Sequence, residues 1–135
     1  MCENIDLFNK CCVAILGKLY SEFPVPTLLQ TSKALDLAGF ENFDDKLCEI
    51  YSETVSFLHD EGYVSIGSEA GRGTTNRIFM DVRLTSKGLA ALNRSPKKLE
   101  HAPSIGERIS GWTGELIKDV SREAVKGAVQ AFLGG

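Results

Sequence analysis

Residues 44–93, DDKLCEIYSETVSFLHDEGYVSIGSEAGRGTTNRIFMDVRLTSKGLAALN, decide the fold. Leu47, Ile50, Tyr51, Thr54, Phe57 and Leu58 recur at spacings of three and four, the period of a helix with one apolar side, and Gly62 ends the run. Asn42 or Asp44 can cap it, because a short side-chain oxygen accepts from the first free backbone N–H groups. The spacing predicts a helix to about Glu61. Tyr63–Ile66 and Asn76–Leu84 then read as two strands joined by the loop Gly67–Thr75. Along the second strand Ile78, Met80, Val82 and Leu84 alternate with Phe79, Asp81 and Arg83, so the first set is expected inside and the second in water. Phe79 is the exception on that wet face, where a neighbouring subunit or the C-terminal segment would have to cover it. Thr85 or Ser86 caps a closing helix, Lys87–Asn93, which buries Leu89 and Leu92.

Upstream, Ile5, Phe8, Cys12, Ile15, Leu16 and Leu19 form one helical stripe, with Asn4 as N-cap and Pro24 and Pro26 as the stop. A first helix over about residues 5–21 follows. Val25–Thr31 is either a short strand pairing with the hairpin or the first turn of the next helix; it is taken as an extended lead-in. Thr31 or Ser32 caps a short helix over Lys33–Ala38, closed by Gly39, and Phe40–Phe43 makes the turn.

Downstream, Asn93–Pro103 is basic and carries two prolines, the mark of a boundary. Ser104–Leu133 reads as one helix of about 45 Å at 1.5 Å per residue. Ile105, Ile109, Trp112, Leu116, Val120, Ala124, Ala128 and Phe132 line one side of it. A helix of that length needs a partner for its stripe. Ile109, Trp112, Leu116, Val120 and Phe132 are therefore expected to hold a homodimer together; the alternative is that the segment lies back along the first helix of its own chain. The division is thus residues 1–95 as a core domain, 96–103 as a hinge and 104–135 as an oligomerisation arm.

With 135 residues, 43% hydrophobic and 24% charged, the chain has the composition of one ordinary globular domain. It has no run of roughly 20 apolar residues to span a membrane and no basic, apolar leader at its start, so a cytoplasmic location without membrane contact is expected. The net charge of −3 conceals an asymmetry. Residues 36–62 carry eight acids against Lys46 alone. Residues 63–98 carry Glu69 and Asp81 against Arg72, Arg77, Arg83, Lys87, Arg94, Lys97 and Lys98. An acidic helix thus stands beside a basic hairpin and hinge.

Phe57-Leu58-His59-Asp60-Glu61-Gly62-Tyr63-Val64 and Val82-Arg83-Leu84-Thr85-Ser86-Lys87-Gly88-Leu89 carry a resemblance. The first is similar to the end of a recognition helix entering a β-wing, and the second to the wing's return into the next helix. Residues 5–93 therefore resemble the winged helix-turn-helix superfamily, of the kind found in bacterial regulators of the MarR and PadR types. The fold class that follows is mainly α with a small β-wing, extended by the long C-terminal helix. The resemblance implies a DNA-binding transcriptional regulator, with the recognition helix in the major groove and the wing on the backbone or minor groove.

The residues depart from that pattern in one respect. Asp44, Asp45, Glu49, Glu53, Asp60 and Glu61 make the candidate recognition helix acidic, and phosphates repel it. DNA contact is then expected from the wing and hinge instead: Arg72, Thr74, Thr75 and Arg77 at a glycine-rich tip, and Lys97 and Lys98 behind it. A hairpin would hold both arginines near its tip, clear of the acids. The competing expectation is a protein-interaction module, an adaptor or inhibitor, that turns Asp45, Glu49 and Glu53 of the acidic helix 44–61 toward a basic protein partner.

Nothing in the sequence points to an enzyme, a cofactor or a metal. Cys2, Cys11, Cys12 and Cys48 form no Cys-x-x-Cys pair, His59 and His101 have no triad spacing, and Gly71-x-Gly73 precedes a strand and so lacks a helix N-terminus for phosphate. Cys11 and Cys12 point about 100° apart on one helix, which places Cys12 on the apolar side and Cys11 beside it.

Overall fold

The structure, a computed structural model, describes residues 3–37, 40, 44–74, 76–94, 103–112 and 120–134. It is mainly helical with a small antiparallel sheet. Helix α1 (Glu3–Glu22) is the centre of the molecule: α3 packs on one side of it and the C-terminal helices on the other. That is why Cys11 and Cys12 are both fully buried, although neighbours on a helix diverge. A helix with apolar partners on two sides buries adjacent positions, so the expectation that only Cys12 faces the core is corrected.

The extended lead-in is a strand, β1 (Thr27–Gln30), hydrogen-bonded to β4 (Ile78–Leu84). Helix α2 (Thr31–Leu37) starts directly after it, two residues earlier than its spacing indicates. Side chains from the hairpin secure that start. The Thr31 hydroxyl and N–H both donate to the Arg77 carbonyl, at 2.9 and 3.0 Å, and the Ser32 N–H and hydroxyl both donate to the Asn76 side-chain oxygen.

Helix α3 (Asp45–Asp60) is capped by Asp44, one of the two expected candidates, which accepts from the Leu47 N–H at 2.9 Å. Leu47, Tyr51, Thr54, Val55 and Leu58 point into the core. Phe57, expected with them, is 38% exposed.

The hairpin is more ordered than its glycines suggest. After β2 (Val64–Ser65), a strand β3 (Ser68–Ala70) occupies part of the expected loop, and both pair with β4. The remaining turn closes at Gly71, whose φ of +75° favours glycine and where a Cβ would stand 2.8 Å from the Asn76 carbonyl oxygen.

Phe79, expected in water, is fully buried. On β1, Leu29 faces Phe79 and Thr27 faces Val82, so two steps on one strand match three on the other. The extra residue lies on β4, where Asp81 takes a φ of +54°. Such a bulge shifts the in–out alternation by one. Phe79 therefore points inward before it, and Val82 and Leu84 after it, while Ile78 and Met80 are only half-buried.

Helix α4 (Ser86–Leu92) is capped by Thr85, which accepts from the Gly88 N–H at 3.1 Å. Gly88 lies so close to the Tyr63 carbonyl that any Cβ there would collide with it, which accounts for the glycine in Thr85-Ser86-Lys87-Gly88.

The single long C-terminal helix is not found. Ser104 and Glu107 form a capping box that opens α5 (Ile105–Ser110), and α5 ends at Gly111 with the Trp112 N–H donating to the Ile109 carbonyl. Helix α6 (Arg122–Gly134) is separate from it. Lengths explain the break. Twenty residues of α1 span about 30 Å, so a straight rod of about 45 Å would overhang it. In two pieces, Ile105 and Ile109 of α5 and Val125, Ala128, Val129 and Phe132 of α6 all join the core built on α1. The expected hinge, residues 96–103, lies almost wholly outside the described residues.

Candidate interaction surface

The outward side of α3 lies between the start of α1 and the hairpin. Asp45, Lys46, Glu49, Glu53, Phe57, Asp60 and Glu61 are exposed along it. On the α1 side, the Phe57 ring meets Phe8 edge-on at 5.5 Å. On the hairpin side, Arg77 closes the surface.

Arg77 is not at the tip of the hairpin. It precedes β4 and reaches back over α3, where it is 8% exposed. Its Nη1 donates to Glu53 at 2.8 Å, its Nε to Glu69 at 2.9 Å, and its Nη2 to Ser56 at 3.3 Å, with a second close contact from Nη2 to Glu69. The guanidinium also stacks over Phe79, 4.9 Å from the ring centre. The arginine expected to stand clear of the acids is thus clasped by two of them, one from α3 and one from β3. Arginine suits this position because its planar fork can address several acceptors at once.

Of the other residues expected on DNA, Arg72 is exposed at the tip. Thr74 is exposed too, but its hydroxyl serves the turn: it donates to the Gly71 carbonyl at 2.6 Å and accepts from the Asn76 N–H at 3.2 Å. Thr75, Lys97 and Lys98 lie outside the described residues. Of the acids expected on a protein partner, Asp45 and Glu49 are exposed, and Glu53 keeps 67% of its side chain in solvent while holding Arg77.

The expected dimer contact is used within the chain. Ile109 and Phe132 are buried in its own core, and Phe132 stacks on Tyr63 at 4.5 Å between ring centres. Trp112 and Val120 pack partly buried against the same core, and Leu116 lies outside the described residues. Residues so placed cannot be offered to a second chain without opening the first.

Two features went unnoticed in the sequence. Ile5, counted in the α1 stripe, is 53% exposed, and Phe57 is exposed beside it in the same region. A signal existed for Phe57: Glu53, Asp60 and Glu61 stand four before, three after and four after it, which sets the ring among acids on the helix surface.

The adjacent thiols of Cys11 and Cys12 are fully buried. Burial pushes Cys11 up to about 12, and burial together with Cys11 pushes Cys12 up as well. Both shifts favour the thiol over the thiolate that a reactive cysteine needs. His59 is half-exposed, 3.6 Å from Asp60. No cluster of metal-ligating side chains occurs among the described residues, and no helix among them is long and apolar enough to cross a membrane. The chain matches no protein-family model, no curated protein and no solved structure.

Proposed function

We propose that the chain is a non-enzymatic cytoplasmic winged-helix module that binds a basic protein through the acidic outer side of α3. The reading rests on one observation above others. Of the two arginines that a DNA-contacting wing would use, Arg77 is held by Glu53 and Glu69, which leaves Arg72 as the exposed one. Non-specific DNA affinity grows with the number of phosphates neutralised, so a wing that keeps Arg72 at its tip and Arg83 on β4 but has Arg77 occupied holds a duplex less well. In the position of a recognition helix, α3 presents Asp45, Glu49, Glu53, Asp60 and Glu61. That surface repels a polyanion and attracts a polycation. The apolar side of the C-terminal helices is occupied by α1, which supports a monomer over the arm-mediated dimer.

Titration of the full chain with random duplex DNA and with a lysine-rich peptide, each at low and high salt, tests this. The peptide should bind and weaken as salt rises, while duplex DNA should not bind below about a millimolar. Glu49→Lys with Asp60→Lys should abolish the peptide signal. Micromolar duplex binding that Arg72→Ala removes would restore the regulator reading in its place.

A further inference from the structure

Four large apolar side chains are exposed among the described residues, in two places. Val25 and Leu28 lie on and just before the edge strand β1, with nothing around them to indicate an occupant. Ile5 and Phe57 are different, because they adjoin each other through Phe8 and have a charged rim. Ile5 and Phe8 are one turn apart on α1, and Phe8 is half-buried against Phe57. Around Phe57, one turn away in both directions, stand Glu53, Asp60 and Glu61, and Glu49 lies a further turn back. Lys46, about three turns from Phe57, is the only lysine or arginine on α3, and the half-exposed His59 lies 3.6 Å from Asp60. On the α1 side, Asp6 is taken by Arg122 at 3.1 Å.

Building on the interaction reading above, we infer that the Ile5–Phe8–Phe57 patch is an anchor site for a basic amphipathic helix. The partner segment carries an aliphatic or aromatic anchor with lysine or arginine one turn to either side. The anchor meets the Phe57 ring and Ile5, and the flanking cations meet Glu53, Asp60 and Glu61. This is the usual layout of a protein interface, an apolar centre that carries affinity inside a charged rim that selects the partner and speeds its arrival. The rim also excludes other occupants. A second copy meeting this face across a two-fold axis would set the acids against themselves, since such an interface puts the same patch on both sides. Duplex DNA and anionic lipid are repelled for the same reason.

Three helix-forming peptides of equal length separate the possibilities. One has a leucine anchor with lysines three and four residues to either side; one has serine in place of the leucine; one keeps the leucine and has glutamates in place of the lysines. Binding to the full chain is read by fluorescence anisotropy, with self-association followed by light scattering. The anchored basic peptide should bind about tenfold more tightly than the serine version, and Phe57→Ser should erase that difference while leaving the weaker, salt-sensitive binding. Phe57 is partly exposed, so the variant should keep its circular dichroism spectrum; if it does not, Ile5→Ser should narrow the same gap. Equal binding of the two basic peptides would overturn the anchor site and leave the acidic-surface reading standing. No binding by either would overturn both. Binding of the acidic anchored peptide would show that charge does not select the occupant, and self-association lost in Phe57→Ser would identify a second copy as the occupant; either overturns the inference.

Discussion

The C-terminal helices and the hairpin are both fastened to α1–α3, by different means. Helices α5 and α6 are held chiefly by apolar burial at close range, with one exposed ion pair, Arg122 to Asp6, at the start of α6. Gly17 on α1 lets the backbone of α5 approach until a Cβ there would stand 3.0 Å from the Ile109 carbonyl, and Gly106 on α5 faces the Tyr20 ring with no room for a side chain. Arg94 then caps the far end of α6 by donating to the Ala131 and Phe132 carbonyls at 3.0 and 2.8 Å. The hairpin also contributes Phe79 and Val82 to the core, but its lateral attachment to α3 is the ionic clasp of Arg77. The two attachments answer to different conditions. Apolar burial is nearly indifferent to ionic strength, and close packing makes it sensitive to a single methylene. An ion pair trades desolvation against attraction and responds to salt wherever water reaches it.

Phe132→Ala should give the largest effect. The ring is fully buried against Tyr63, so its loss removes transfer energy and leaves a cavity, together about 3–5 kcal/mol. Urea unfolding at low and high sodium chloride should show the same loss in both. A variant that unfolds like the parent chain would mean that α6 is not part of the fold, and the C-terminal segment would again be free to hold a second chain.

This difference between apolar and ionic attachment also governs what was legible in the sequence. Two helix starts were readable, because Asp44 and Thr85, each one of two candidates, cap by local geometry within three residues, whereas α1 begins at Glu3, before its expected cap Asn4. Apolar spacing announced that Ile109 and Phe132 would be covered, yet spacing cannot distinguish the chain's own α1 from a partner's surface. It also cannot show that two short helices fit on α1 where one long helix does not. Strict alternation failed at Phe79 because one bulged residue, Asp81, reverses the phase of everything before it, and nothing local to Met80-Asp81-Val82 announces a bulge. The candidate surface was half legible. The acids of α3 were evident as a run, but the fate of Arg77 depends on Glu53, 24 positions away, and Glu69, eight positions away across the hairpin. Charge sums over windows count such an arginine as available when the fold has already neutralised it.

Arg77→Met tests the clasp, with an expected loss of about 2–3 kcal/mol, smaller than that of Phe132 because the stranded acids can rehydrate. Methionine keeps much of the apolar stem over Phe79, so the loss reports mainly on the charge. Without the guanidinium, Glu53 and Glu69 face each other uncompensated. High salt should therefore narrow the gap between variant and parent chain, which it does not do for Phe132→Ala. A gap that ignores salt would mean that Arg77 acts through packing alone, and the contrast between the two attachments would collapse.

The finest distinction lies within the clasp. Glu69 keeps 26% of its side chain exposed and receives two donors from Arg77, whereas Glu53 keeps 67% exposed and receives one. Water screens the more exposed partner better, so Glu53→Gln should cost less than about 1 kcal/mol. Glu69→Gln should cost more, about 1.5–3 kcal/mol, the range of a hydrogen bond to a charged group away from bulk solvent. The same urea titrations measure both. If the order holds, Arg77 belongs first to the hairpin, tying β4 to β3, and its bond to α3 is the weaker half. Glu53 would then be the acid most readily released to a basic partner, since a competing cation needs to displace only that half. If Glu53→Gln proves the costlier, the hairpin is held chiefly by α3, and a partner docking on the acidic side would have to loosen the hairpin to use Glu53.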